Sequence, residues 1–600
     1  MKLRVYKNTW PINLGILGFL NILNKAGVKN QVIIKEDYIE FDSLLLKNFH
    51  NYYLDYFIEK DDMSRYICRN IEFKLSSIKS KPDKTKDIVK KLKEDIQYQN
   101  NKVKKYFKED GETISNCLNQ LKNIKSEEDF DKLQELMNIC KSIFNKDYVR
   151  EKLTLNKSRS YIGGDFFGQA SFLQKSRSAL DKNNQANFIY RDYLSSIIEY
   201  GKLNDLIENG DLENLNEYID EKVECKDISS TIISILKKIK RILKKENNIL
   251  AIKEYLSSDN LDTCDMCSDH KGIVSVYTEG NFGPLAVSAD NALNMYWNQE
   301  KNYHICDICK FILFCTPAGA IYTKKNYLEN EDNEFYSFVN IDASLDELYN
   351  TNINLNKLKD KENPFNDLVM DIVSENRVKS KWQLDNILFV EFKANLDSKK
   401  CKMNYFNMPS YLAEFFVRET NSIAGIYNQK FKANIIDNLF KNKDLKHIID
   451  KALRANIKGN LEENFKVKIL PSDILKAIKI RRLIHFYKKG VYKMNDKKLQ
   501  VIKFSGHEIH DYYVNSNSKN KINGIAYKLL NSVKVGNKKD FMDTVLRLFM
   551  SAEKSVPSIF IEIMAEKDLD FESIGHAFIT GLISEKYEAK NNDSNNEEVK

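Results

Sequence analysis

Two cysteine pairs carry the strongest chemical signal in the chain. Cys264 and Cys267 form one C-x-x-C pair, and Cys306 and Cys309 form another. Two residues between thiolates make a tight knuckle that turns both sulfurs toward one ion, and two knuckles complete a tetrahedron. Four soft thiolates favour Zn²⁺ and leave no open coordination position, so a structural ion is expected and metal catalysis is not. An iron–sulfur cluster, or buried thiols without metal, are the alternatives. His270, His304 and Cys315 lie close enough in sequence to replace one ligand. The 38 residues between the pairs exceed ordinary ribbon spacing, so a folded insertion must bring the knuckles together.

A second group surrounds Tyr161–Gln169 (YIGGDFFGQ). Gly163-Gly164-Asp165 resembles the G-G-D-D turn of palm-domain cyclases and polymerases. Phe166 stands where two-metal chemistry needs a second carboxylate. No phosphate-binding G-x-x-x-x-G-K-[ST] is present. The stretch from Leu155 to Gln174 reads as a loop, with Gly163 and Gly164 allowing the backbone to approach DNA. In that reading Lys157, Arg159, Lys175 and Arg177 meet phosphates, and Gln169 or Gln174 reaches base edges. A tight core turn flanked by surface charge is the alternative.

His507-Glu-Ile-His510-Asp511 is one residue short of the H-E-x-x-H zinc motif, so its histidines cannot sit one helical turn apart around a zinc as that motif places them. It reads as surface or capping residues, with half of an HD-type phosphohydrolase as the enzymatic alternative. The C-terminal charge is split. Residues 476–540 hold 16 Lys/Arg against 4 Asp/Glu, and residues 541–600 hold 6 against 12. Lys476, Lys479 and Arg482 recur every three positions on one helix, followed by Lys488 and Lys489, with aromatics interleaved. This combination favours sequence-blind, salt-sensitive contact with nucleic acid.

The elements that must position these groups follow from composition and period. Across 600 residues the hydrophobic share is 42% and the charged share 30%, which excludes disordered, collagenous and disulfide-scaffold classes. The formal charge of +8 is mild for this length, and Lys, Asn and Ile are over-used as AT-rich coding produces. The apolar run Pro11–Leu23 is too short to span a membrane and is broken by Asn13 and Asn21. It reads as a first amphipathic helix, interrupted by Gly15 and Gly18. The chain is expected to be cytoplasmic, with reduced thiols and no membrane partner. The expected fold is α+β, predominantly helical and multi-domain, with an embedded zinc-ribbon-like module and a C-terminal helical bundle. Residues 1–255 form a mixed, mainly helical domain, including the basic amphipathic stretch Leu236–Glu246. Residues 256–325 form the four-Cys module, with β-favouring runs at Gly272–Tyr277 and Phe311–Phe314. Residues 326–468 are mixed and mainly helical, 469–585 form the basic bundle, and 586–600 a disordered tail.

Several stretches resemble the large subunit of the type I-B CRISPR interference complex (Cascade), in the branch known for two C-x-x-C knuckles. They are Trp10–Leu20 (WPINLGILGFL), the Tyr161–Gln169 glycine segment, Cys264–Cys267, His304–Gly319 (HICDICKFILFCTPAG) and Phe338–Leu348 (FVNIDASLDEL). The C-terminal third matches only in being helical and basic. The resemblance implies a non-catalytic role. Such subunits recognise the protospacer-adjacent motif in double-stranded target DNA, help to open it, hold the displaced single strand, and dock the helicase-nuclease. Their partners are the other Cascade subunits and the CRISPR RNA, whose pairing reads the long sequence. The enzymatic alternative is a metal-dependent nuclease or nucleotidyl cyclase using Asp165 or His507–Asp511; a zinc-ribbon protein scaffold is the third reading. The family also makes a small helical subunit from an internal start. Lys489-Gly490-Val491 can encode a ribosome-binding sequence upstream of Met494. A Leu codon at Met494 is therefore expected to abolish a small C-terminal product; its persistence at unchanged size on an immunoblot would refute the internal start.

Overall fold

The computed structural model describes residues 1–121, 124, 129–246, 248–258, 261–285, 303–324, 334–361, 364–375, 387–396, 400–459, 469–490, 497–561 and 569–584. Met494 and the tail from 585 lie outside them. The described chain is predominantly helical with small sheets, as the sequence leads one to expect. It divides into two compact units: Met1–Ile353 with Val390–Tyr405, and Asn354–Phe389 with Phe406–Lys600.

The first unit opens with β1 (Lys2–Tyr6). After α1 (Trp10–Lys25) come β2 (Ile33–Ile34) and β3 (Tyr38–Asp42), giving a sheet in the order β1-β3-β2. β1 runs antiparallel to β3, pairing Leu3 with Phe41 and Val5 with Ile39, all four buried. α1 is buried over almost its whole circumference, from Trp10 to Leu20 without a break. The two asparagines that interrupt its apolar run are internal ties. Asn13 donates to the Asn8 carbonyl and to Asn340 Oδ1, and Asn21 donates to the Ala318 carbonyl.

Gly15 and Gly18 turn out to be the residues that let α1 touch another backbone. A Cβ on Gly15 would stand 2.3 Å from the Ile312 carbonyl oxygen, and one on Gly18 would stand 1.9 Å from that of Cys315. Gly319 answers from the other side, its Cβ position lying 2.3 Å from the Leu14 carbonyl oxygen. α1 is thus packed backbone to backbone against Asp307–Phe314 and Thr316–Gly319. Phe311–Phe314 is therefore helical and not the strand its β-favouring residues suggest. Burial on every side, with Phe314 stacked between Tyr53 and Tyr193, overrides local propensity.

Two helical layers complete the unit. Helices between Met63 and Ile162 enclose Ile67, Leu92, Ile114, Leu133 and Met137. Helices between Ser195 and Ser257 enclose Leu203, Leu215, Ile235, Leu236 and Ile239. A four-stranded sheet runs β6 (Ile321–Lys324), β7 (Glu334–Ile341), β8 (Ile387–Asn395), β9 (Lys400–Asn407), and residues 390–405 of the last two belong to this unit.

The second unit is a helical bundle around Phe571–Leu582, in which every residue except Glu572 is buried. The glycine device recurs here. A Cβ on Gly581 would lie 1.9 Å from the Lys503 carbonyl oxygen, and one on Gly506 would lie 2.2 Å from that of Phe578. Arg481 donates to Asp444 and Asp570, whose carboxyls it holds below the usual range against the opposing effect of burial. His576 is fully buried, and burial together with the Arg481 charge pulls it down to about 3.

Two outcomes follow. Gly18→Ala and Gly581→Ala are each expected to destabilise their unit by about 1–3 kcal/mol, whereas Gly524→Ala, whose Cβ meets open space inside helix Asn520–Lys534, should gain about 0.5–1 kcal/mol; melting curves decide this. His576 stays neutral in the fold while the unfolded chain takes up a proton below about 6.5. Its contribution is therefore absent above that value and becomes destabilising on acidification, by about 1.4 kcal/mol per pH unit down to the folded value. His576→Leu should flatten the acid limb of the stability curve of this bundle.

Candidate metal centre

The first knuckle is a turn. Cys264 N–H donates to the His270 carbonyl, Ser268 N–H donates to the Cys264 carbonyl, and Ser268 adopts a φ of +56° that closes it. The second knuckle is the junction between β5 (His304–Cys306) and the helix Asp307–Phe314. β4 (Val274–Val276) pairs antiparallel with β5, setting Val274 opposite Cys306 and bringing the knuckles together. Asp265 fastens them further: its N–H donates to the His304 carbonyl, and its carboxylate accepts the His304 N–H.

All four sulfurs lie within 4.8 Å of one another, and Cys267 Sγ is 3.9 Å from Cys306 Sγ. Metal–sulfur bonds of about 2.3 Å in a tetrahedron place sulfurs about 3.8 Å apart, so the arrangement can hold a metal ion. Cys264, Cys306 and Cys309 are buried and Cys267 is half-buried. Cys306 Sγ caps the helix, accepting the Cys309 N–H at 3.4 Å, and Cys264 Sγ accepts the Cys306 N–H at 3.2 Å. Backbone donors and a helix N-terminus favour thiolate, but hydrogen bonding to the neighbouring sulfurs outweighs them at Cys306 and Cys309 and pushes both thiols well up. Hydrogen bonds from Cys264, Cys306 and Cys309 hold Cys267 far below the usual thiol range. Of the alternative ligands, His270 places Nδ1 3.3 Å from Cys267 Sγ as a hydrogen-bond partner, its pKa lifted by that thiolate against the effect of burial. His304 faces Asp265 at 3.5 Å, and Cys315 donates to the Phe311 carbonyl within the α1 packing.

The glycine segment differs from the expected loop. The helix Asp147–Ile162 continues through it and widens into a π-helical turn at Gly163–Phe167, ended by Gly168 at φ +63°. Gly164 offers its carbonyl to Leu396 N–H, and Phe166 and Phe167 are buried. Asp165 is buried beside Lys393 at 3.0 Å; burial raises its carboxyl and Lys393 partly offsets that. Arg159 is also buried, bonding the carbonyls of Phe172 and Gln174 and the side chain of Gln185. It holds the following turns in place and does not project to solvent. Arg177 lies 3.7 Å over the Phe188 ring and donates to the Ser171 carbonyl, while Gln169 accepts the Lys175 N–H. Lys157, Gln174 and Lys175 remain exposed.

In the basic helix Pro471–Lys488, only Arg482 of the three regularly spaced cations is buried. Arg482 is 7% exposed and stands over Phe486, Lys476 is tied to the Gly425 carbonyl and to Asp473, and Lys479 is half-buried. Lys488 and Lys489 at its end are exposed, and Lys488 donates to Asn442. His510 Nδ1 is bonded to the Leu582 carbonyl at 2.7 Å and His507 Nδ1 to that of Ser584 at 3.1 Å, so both fasten the end of the central helix. The sequence reading missed the backbone-contact glycines, although small residues at positions 15 and 18 and again in T-P-A-G were the signal for them.

Residues 257–321 match a family described as CRISPR-associated protein (Cas_CXXC_CXXC). The matched segment contains the whole four-cysteine centre and the helices that α1 packs against, and the match supports a Cas protein of the CXXC–CXXC branch. No curated protein and no solved structure matches the chain significantly. Among the described residues, no helix is long and apolar enough to cross a membrane.

One metal ion per chain is expected in the purified protein by elemental analysis. Cys267→Ser and Cys309→Ser should each lose it, because the remaining three sulfurs leave the buried site incomplete. Acidification should release the ion as thiolates take up protons.

Proposed function

We propose that this Cas protein is the non-catalytic large subunit of a type I-B guide-RNA surveillance complex in the cytoplasm. It would recognise the protospacer-adjacent motif, stabilise the displaced strand and recruit the helicase-nuclease in antiviral defence. The single observation that carries this reading is the matched four-cysteine segment, built into the N-terminal core through α1, which lies in the most specific of the resembling stretches. The ion is a structural Zn²⁺ in this reading: four sulfur donors and the helix-capped thiolate suit it and leave no position for a substrate.

The side chains offered by the enzymatic alternative support a non-catalytic role. Asp165 is buried against Lys393, and His507 and His510 are engaged by main-chain carbonyls. For nucleic acid, the exposed Lys157, Gln174, Lys175, Lys488 and Lys489 are the favoured contacts among the residues singled out from the sequence. Arg159, Arg177 and Arg482 serve by holding the surfaces that carry them.

Tagged chain purified from its native cell should bring down repeat-flanked spacer RNAs together with about one zinc per chain. Recovery of other Cas proteins without any such RNA would overturn the assignment. In the purified complex, Asp165→Ala and His510→Ala should leave target cleavage by the recruited nuclease chemically competent, whereas metal-dependent cleavage by the isolated chain that either variant abolishes would establish the enzyme instead.

A further inference from the structure

The helix Ser230–Glu246 (STIISILKKIKRILKKE) has a sequence that fits two different partners. A basic amphipathic helix lies on an anionic membrane when its apolar face is available. Here that face is taken, since Ile232, Ile235, Leu236, Ile239 and Leu243 are all buried in the core shared with helices Ser195–Asn209 and Leu212–Val223. What the helix offers to its surroundings is mainly charge, beside Ser234 and the half-buried Ile233 and Ile242.

That charge is of one sign and is uncompensated. Lys237, Lys238, Arg241, Lys244 and Lys245 are exposed, and at 3.6 residues per turn they fall within about 120° of arc opposite the buried residues. Lys240, at the edge of the arc, is paired with Asp220 at 2.6 Å. Among the described residues, no carboxylate lies within ion-pair distance of the other five. Lys237 with Arg241 and Arg241 with Lys245 are like charges one turn apart, and each pair disfavours the helix. Folding alone would favour interleaved acids, as in helix Thr85–Tyr106, where Asp87 and Glu94 sit among the lysines.

We infer that the outward face of Ser230–Glu246 is a docking surface for the phosphate backbone of double-stranded DNA. From Lys237 to Lys245 the row is about 12 Å long at 1.5 Å per residue, enough to meet two or three phosphates of one strand. The lysines and arginine stand on a helix fixed by its core, and a rigid row of cations matches a duplex, whose phosphates are fixed in turn, better than a flexible single strand. The surface goes beyond the C-terminal bundle and the glycine segment and lies in a different part of the chain. It rests on the proposed function only for the identity of the duplex as target DNA.

The test is fluorescence anisotropy of the full chain with a short labelled duplex, and with a single strand of the same length, over a salt series. Lys237→Glu, Arg241→Glu and Lys245→Glu together should weaken duplex binding at least about tenfold at low salt. They should also reduce the slope of log K against log salt by about 2–3, since each phosphate contact contributes about 0.9. The same three changed to Gln should give a smaller loss of the same kind, which guards against a folding defect. Lys86→Glu, Lys90→Glu and Lys91→Glu, an equal change of charge on another helix, should leave the slope within half a unit of wild type. A wild-type slope in the first variant, an equal loss in the control, or a loss confined to the single strand would overturn the inference. Spacer RNA that still co-purifies with the first variant would in each case leave the large-subunit reading standing.

Discussion

The backbone contact between α1 and the helices that follow the second knuckle is the constraint on which the N-terminal unit depends. Three glycines make it: Gly15 and Gly18 on one side, Gly319 on the other, each presenting a surface without a side chain to a carbonyl or amide. At such separations the two backbones leave no room for even one methyl group. The cost of placing glycine inside a helix, about 1 kcal/mol each against alanine, is offset by the close packing it allows. Around the contact, Phe311 meets Phe19 and Phe49 edge to face, and Tyr53 and Tyr193 stack on Phe314.

This contact also explains why the four-cysteine centre sits within a large core instead of forming a free-standing ribbon. Cys306 begins the helix whose later residues, Ile312 and Cys315, touch α1. An ion held by Cys306 and Cys309 would therefore fix the helix start while the glycines fix its end. Clamping both ends of an eight-residue helix confers rigidity on everything packed against it. The π-helical turn joins the same framework, for the Cβ position on Gly283 lies 3.0 Å from the Phe166 carbonyl oxygen.

The legible part of the molecule was the part governed by periodicity and by fixed spacing. The C-x-x-C pairs announced a metal site because thiolate geometry tolerates few spacings, and the helices from Thr85 to Phe144 announced themselves through regular apolar intervals. Besides the backbone-contact glycines, three features escaped. Phe311–Phe314 looked like a strand because β propensity is a surface-fitting preference, and a wholly buried helix is not bound by it. The glycine segment looked like a loop because glycine weakens helices, yet a π-turn accommodates it where the chain must pass close to Leu396 and Gly283. The helix Pro471–Lys488 looked like a basic surface because Lys476, Lys479 and Arg482 recur every three positions, yet Arg482 is buried over Phe486 while Lys476 and Lys479 stay half-buried.

That last misreading has a physical lesson for reading charge. Arginine and lysine at regular spacing were taken as one population, but the structure separates them by what they touch. Arg159, Arg481 and Arg482 are internal: they bond carbonyls, carboxylates or ring faces, and reversing Arg159 or Arg481 would leave acceptors unpaired. The exposed cations near them are predominantly lysines on helix ends or outward arcs. Arginine's planar fork can satisfy several acceptors at once within a core, whereas lysine reaches outward on a flexible stem. Surface chemistry in this chain therefore follows exposed lysine arcs more closely than net charge per segment, and the arc on Ser230–Glu246 stands out because its opposite face is already committed to the core.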